Sequence, residues 1–169
     1  RPAIYFPGST IGNFRPAEAR ALLRRIAATP GLAGAIVGID LQKPIAALEA
    51  AYNDARGVTA AFNLNLLARI NRELGGDFVV ERFVHRASYD VGRHRIEMRL
   101  VSAVDQVARV DGRSFAFVAG ESILTELSHK YTVDGFADMA AGSGLRLARA
   151  WTDAGRRFAV VHLLPAPEV

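Results

Sequence analysis

Residues 3–41 read AIYFPGSTIGNFRPAEARALLRRIAATPGLAGAIVGIDL, and their pattern decides the fold class. Ala3-Ile4-Tyr5-Phe6 is a short apolar run that stops at Pro7-Gly8-Ser9-Thr10, as a buried strand stops at a polar loop. Pro16 and Glu18 then open a helical pattern through Leu22, Leu23 and Ile26, which Thr29-Pro30-Gly31 ends. Gly34-Ala35-Ile36-Val37-Gly38-Ile39-Asp40-Leu41 is a second apolar run, with an acid near its carboxyl end. Strand, helix and strand in that order predict a right-handed βαβ crossover in a parallel sheet, its first strand inside the sheet. Ligands of such sheets gather beyond the carboxyl ends of the strands, which directs attention to residues 8–13.

Beyond this opening, Pro44–Tyr52 and Val58–Leu74 show helical spacing, with Phe62, Leu66, Leu67, Ile70 and Leu74 as the apolar face and Gly75-Gly76 as the stop. The period then changes. Phe83–Tyr89, His94–Val101, Val104–Val110 and Phe115–Val118 carry alternating or β-branched character and predict an antiparallel meander. Glu121–Tyr131 fits a strand or a helix, Val133–Ala141 a helix, and Leu145–Thr152 with Arg157–Leu164 a strand pair hinged at Asp153-Ala154-Gly155. No repeat or long linker separates these segments, so one shared core is expected, with Trp151 and the phenylalanines inside it.

Composition narrows the chemistry. A chain of 169 residues, 50% hydrophobic and 22% charged, is of the size and balance of one folded domain. It has no cysteine, which excludes disulfides, cysteine-based zinc sites, thiol nucleophiles and iron–sulfur clusters, and fits a cytoplasmic protein. The 21 basic residues are interspersed with 17 acidic ones, so the net charge of +4 does not predict a nucleic-acid partner. Uncharged stretches such as 27–39 and 159–167 are too short or too interrupted to span a bilayer, and no secretory or transit leader is expected. His85, His94, His129 and His162 lack metal-ligand spacing, and no G-x-S-x-G elbow is present, so neither a metal site nor a hydrolase is expected. Nor is there a G-x-G-x-x-G loop; the chain opens on what looks like a later strand, as the back half of a longer protein would.

Three short stretches carry candidate site residues. In Gly8-Ser9-Thr10-Ile11-Gly12-Asn13 small residues and backbone N–H groups can face a ligand, while Asn13 either caps the next helix or grips a carboxylate. Tyr52-Asn53-Asp54-Ala55-Arg56-Gly57 offers a phenol, an amide and an acid, or simply a capped polar turn. In Glu126-Leu127-Ser128 an acid and a hydroxyl two apart on a strand share one face, suited to a ring with both a donor and an acceptor, such as imidazole; a solvated strand face has the same local pattern.

Further stretches extend these: Phe6–Phe14, Gly38–Lys43, Ala51-Tyr52-Asn53-Asp54-Ala55-Arg56-Gly57-Val58-Thr59-Ala60-Ala61-Phe62-Asn63, Asn71–Gly75, Ile96–Leu100 and Thr125–Ser128. In that order and spacing the whole chain resembles the histidine-specific N-alpha-methyltransferases of ergothioneine biosynthesis. The resemblance implies the C-terminal part of a class I, Rossmann-like α/β methyltransferase sheet with an inserted α+β substrate-binding region. Residues 1–43 would end the cofactor domain, 44–131 form the insertion, and 132–169 close the sheet. It further implies S-adenosylmethionine as methyl donor and trimethylation of the α-amine of L-histidine. Asn13 and Tyr52 would hold the substrate carboxylate, Gly8 would line the amine, Glu126 and Ser128 would read the imidazole, and Tyr52 would assist proton removal. Gly8 and Ser9 would border the cofactor, whose main site falls in the family's first half. The alternatives are a non-catalytic amino-acid-binding fragment and a methyltransferase for another amino acid, such as a tryptophan derivative. With only the later strands present, the first strand becomes an open edge that invites pairing with another copy.

Overall fold

The computed structural model describes residues 1–167; Glu168 and Val169, at the end of the region expected over 132–169, lie outside the described residues. In chain order the elements are β1 (Ala3–Phe6), α1 (Pro16–Ala27), β2 (Gly34–Asp40), α2 (Ile45–Tyr52), α3 (Val58–Leu74), β3 (Phe83–Asp90), β4 (Arg95–Ser102), β5 (Gln106–Val110), β6 (Arg113–Phe117), β7 (Ser122–His129), α4 (Val133–Ala141), β8 (Leu145–Thr152) and β9 (Phe158–Pro165). The chain divides into two compact units. One comprises Arg1–Lys43, Val91–Arg95 and the chain from Leu127 onward; the other comprises Pro44–Asp90 and Ile96–Glu126.

The first unit is a mixed α/β layer around a four-stranded sheet of order β1-β2-β9-β8. β1 and β2 run parallel, with Ala3 beside Gly34 and Phe6 beside Val37, joined by α1 as the opening pattern predicts. Pro16 supplies a preset φ at the first turn of α1, and Glu18 accepts the Arg15 N–H at 2.7 Å. Ala19, Leu23 and Ile26 from α1, Phe136 and Ala140 from α4, and Ala35, Val37, Ile39, Val161 and Leu163 from the sheet are buried together. β8 and β9 form the expected antiparallel pair. Asp153 closes their hairpin by accepting the N–H groups of Phe158, Arg157 and Gly155, and those bonds, Phe158's foremost, hold its carboxyl below the ordinary range. β1 lies at the edge of this four-stranded sheet, as expected where only the later strands are present, although its apolar run is that of an interior strand. It pairs only with β2 among the described strands, and Tyr5 is 73% exposed.

The second unit has its own apolar clusters, so the shared core expected from the sequence is not what forms. Leu67, Phe78, Phe83, Leu100 and Ala108 make one; Leu48, Ala87, Ile96 and Met98 make another. Phe78, Phe83 and Phe117 meet edge to face or tilted, with centroids 5.4–6.2 Å apart. The meander is also corrected. β4 lies between β3 and β7, while β5 and β6 form a separate antiparallel ribbon. The ribbon's base is pinned by polar groups: Ser102 exchanges backbone bonds with Glu121 and Gly120 at 2.8 Å each, and Asp105 accepts the Ala119 N–H at 2.7 Å. These bonds return the chain to β4 for β7, which settles Glu121–Tyr131 as strand.

Helix α3 has the predicted span, yet Leu67 is its buried anchor while Phe62, Leu66 and Leu74 are 65%, 39% and 58% exposed. Trp151 is likewise outside the core at 43% exposure, with the Arg149 guanidinium 5.1 Å from its ring centroid. Beyond α3, Asn71 donates to the Phe78 carbonyl and accepts the Phe78 N–H, both at 2.8 Å, tying the loop to the helix. Asn71→Ala should therefore lower stability by roughly 1–3 kcal/mol, because the backbone of the buried Phe78 loses both partners. A urea midpoint unchanged from wild type would contradict this.

No helix of the described residues is long and apolar enough to cross a membrane. No group of three or more His, Asp or Glu among them is placed to hold a metal ion.

Candidate functional site

Past β1, Gly8 (φ 72°) and Ser9 (φ 56°) adopt left-handed backbone and lead into a 3-10 turn, Thr10–Asn13. For Ser9 that conformation carries a steric cost, offset by its Oγ accepting the Asp40 N–H at 2.8 Å. The turn is fastened to the end of β7 as well. His129 Nδ1 donates to the Gly12 carbonyl at 3.0 Å, and the Tyr131 hydroxyl lies 3.4 Å from the Ile11 carbonyl. Burial pushes the Tyr131 phenol up to about 12, so it stays protonated and a donor at neutral pH. Gly12 packs so closely that an added Cβ would stand 2.8 Å from the His129 carbonyl oxygen. Asn13 ends the turn and is exposed; Arg15, not Asn13, is the N-cap of α1, so the capping alternative is removed.

At the carboxyl end of β2 stands Asp40, joined to Lys43 at 2.6 Å and to Lys130 at 2.9 Å. The Lys130 side chain is fully buried, and its Nζ also donates to Ser128 Oγ at 2.7 Å. The first unit thus brings together Gly8, Ser9, Asn13 and Ser128 through the ends of β1, β2 and β7. Sequence reading passed over Lys130 and gave Asp40 only as an acid near a strand end. The signal was there: Glu126, Ser128 and Lys130 alternate at the strand period.

The other two candidates belong to the second unit. Tyr52 is half-buried at the carboxyl end of α2. Its carbonyl accepts from His85 Nε2 at 2.9 Å, which leaves His85 Nδ1 to accept from the buried Asn63 amide at 2.9 Å. Asn53 bonds the Ala87 carbonyl and N–H at 3.0 and 3.1 Å and so ties the end of α2 to β3. Asp54 accepts the N–H groups of Thr59 and Val58 at 2.8 and 2.9 Å and caps α3. Most of this motif is therefore local architecture that fixes where Tyr52 sits.

The bonds from Thr59 and then Val58 lower the Asp54 carboxyl to about 2. Because this lies below its ordinary value of 3.8, the cap's stabilisation is complete above that value and lost as pH falls through about 2. A carboxyl NMR titration should show Asp54 titrating near 2; a midpoint at 3.8 would mean that the cap is open in solution.

Glu126 lines a cavity of about 190 Å³ with Phe62, Asn63, Asn65, Leu66, Arg69 and Thr125. The cavity has apolar walls from Phe62 and Leu66, a carboxylate acceptor from Glu126, and amide groups from the two asparagines. Phe62, expected in the core from its spacing, is thus a cavity wall.

A family model for histidine-specific, SAM-dependent methyltransferases matches residues 1–165. The chain is 42% identical over 162 residues to histidine N-alpha-methyltransferase of Mycolicibacterium smegmatis (strain ATCC 700084 / mc(2)155), covering 94% of this chain and 50% of that protein. It is 41% identical, with the same coverage, to histidine N-alpha-methyltransferase of Mycobacterium tuberculosis (strain CDC 1551 / Oshkosh). The chain therefore spans about half the length of these curated relatives. Among solved structures, the CcbJ methyltransferase of Streptomyces caelestis superposes with a TM-score of 0.50 at 13% identity, covering 98% of this chain and 57% of that one, a likeness of fold. With nearly its whole length matched, the chain belongs to the family of histidine-specific, SAM-dependent methyltransferases.

Proposed function

We propose that the protein of which this chain is part methylates the α-amine of L-histidine three times, giving the trimethyl betaine, as a cytoplasmic step of ergothioneine formation. One observation carries this reading: the turn bearing Asn13 is locked to the end of β7 bearing Ser128, beyond the carboxyl end of β2. That is where an α/β sheet holds its ligand.

The roles follow from side-chain chemistry. The Asn13 amide and the Tyr52 hydroxyl donate to the substrate carboxylate. Gly8 lines the amine, and Tyr52 helps to remove its proton, because only the neutral amine has a lone pair to attack with. Neutral imidazole carries one N–H and one bare nitrogen, matched by the Glu126 carboxylate and the Ser128 hydroxyl. S-adenosylmethionine, when bound, supplies the methyl group from its sulfonium. Gly8 fits its border: the residue is exposed, and among the described residues an added Cβ would meet only Thr10 Oγ1, at 3.9 Å, so backbone here is open to approach. Ser9 acts by holding Gly8 in place through its bond from Asp40.

Mass spectrometry of the full-length protein incubated with S-adenosylmethionine and a panel of amino acids tests the proposal. Mono-, di- and trimethylated product confined to histidine is expected; methylation of another amino acid in preference would overturn it. A second reading concerns the chain alone, which spans about half of its relatives. As an amino-acid-binding module it would bind histidine in calorimetry without transferring a methyl group.

A further inference from the structure

His85, on β3, has no part in the roles above, yet both of its ring nitrogens are engaged and one of them holds the backbone of Tyr52. Tyr52 is the last residue of α2, so its carbonyl has no partner within the helix and is met from outside. His85 Nε2 meets it at 2.9 Å. A carbonyl only accepts, so Nε2 carries the ring proton. On the other side of the ring, the Asn63 amide nitrogen lies 2.9 Å from His85 Nδ1 and 3.3 Å from the Arg99 carbonyl on β4. The Arg99 carbonyl can only accept as well, which makes the amide nitrogen, and not its oxygen, the group that faces the ring; Nδ1 is therefore bare and accepts. Between two carbonyls that cannot donate, every hydrogen has one direction, from Asn63 to Arg99 and to His85, and from His85 to Tyr52. Asn63 is 3% exposed and lines the cavity shared with Glu126. All four residues of this chain of bonds lie in the second unit. Asn53 makes another tie, from the end of α2 to Ala87 on β3. The His85 bond differs in reach, because through Asn63 it connects the end of α2 to α3 and to the cavity wall.

We propose, building on the reading of Tyr52 as the group that holds the substrate carboxylate and helps to remove the amine proton, that His85 is a positioning residue for Tyr52. Its Nε2–H fixes the backbone from which the phenol projects, and the Asn63 amide sets the tautomer that makes this possible. His85 thus acts through Tyr52 and takes no part in the chemistry itself.

Steady-state kinetics of the full-length protein with L-histidine test this, using two amides that each copy one half of the ring. Glutamine places an N–H near the position of Nε2, and asparagine an acceptor oxygen near that of Nδ1. His85→Gln keeps the bond to Tyr52 and should remain within about threefold of wild type in kcat/KM. His85→Asn keeps only the bond from Asn63 and should lose about tenfold, with KM raised. A variant that is merely less folded lowers the amount of active protein, which reduces apparent kcat and leaves KM where it was. Tyr52→Phe removes the phenol but not the carbonyl that His85 binds, so in that background His85→Asn should cost less than about twofold. Should His85→Asn not fold, nitrogen NMR of the wild-type protein at mildly alkaline pH supplies a measurement that needs no variant: His85 should show a protonated Nε2 and a bare Nδ1. Equal kcat/KM in the glutamine and asparagine variants, a tenfold loss that persists without the phenol, or the reverse tautomer would overturn the role of His85. Wild-type kinetics in Tyr52→Phe alone would instead overturn the assignment of Tyr52 to the substrate.

Discussion

Glu126→Ala in the full-length protein should lower kcat/KM for L-histidine by about a hundredfold and narrow the preference for histidine over other amino acids. Neutral imidazole enters a protein site with one N–H to satisfy, and Glu126 is the proposed acceptor. Removing that acceptor leaves the ring N–H without a partner once water is displaced, a loss of roughly 1–3 kcal/mol, more when the acceptor is charged. Competing amino acids lose nothing comparable, so specificity falls further than turnover. Glu126→Gln keeps an acceptor oxygen and should lie between wild type and alanine. Competition assays read by mass spectrometry separate the outcomes, and an unchanged order of preference in Glu126→Ala would remove Glu126 from the site.

Gly12→Ala is expected to act through geometry. The new methyl would sit 2.8 Å from the His129 carbonyl oxygen and 3.3 Å from its nitrogen, both backbone atoms that cannot swing aside. The turn Thr10–Asn13 must then lift from the end of β7, at an overpacking cost of about 1–3 kcal/mol. Because Asn13 moves with that turn, KM for histidine should rise as well; a displacement of about 1 Å is enough for roughly a hundredfold loss. Thermal denaturation and steady-state kinetics measure the two effects together. A variant with wild-type melting temperature and KM would show that the turn is not braced as described.

Much of this fold is written in local pattern. The run from Gly34 to Leu41 is apolar on every residue until Asp40, and only a strand covered on both faces uses such a run. Asp153 followed by Gly155 marks the β8–β9 hairpin through short-range bonds that need no distant partner. The misjudged elements depend on partners far along the chain. Nothing within β4 states that its neighbour is β7 and not β5; bonds from Ser102 to Glu121 and Gly120 decide that. The spacing of Phe62 and Leu66 specifies a helix but not which side of it is covered. Lys130 escaped notice for a related reason: its partner Asp40 lies 90 positions earlier (130 − 40), and a buried ion pair has no local signature. The candidate residues themselves were legible, through Glu126 and Ser128 at the strand period and through the small residues that follow β1.

The boundary between the two compact units falls between Glu126 and Leu127, inside β7. Glu126 is thus counted with one unit and Ser128 with the other, although both belong to the same strand. Successive same-face positions on a strand are about 6–7 Å apart, a distance set by covalent geometry. Glu126 and Ser128 are successive positions on one face of β7, so the interval between this carboxylate and this hydroxyl along the strand is set by the backbone itself.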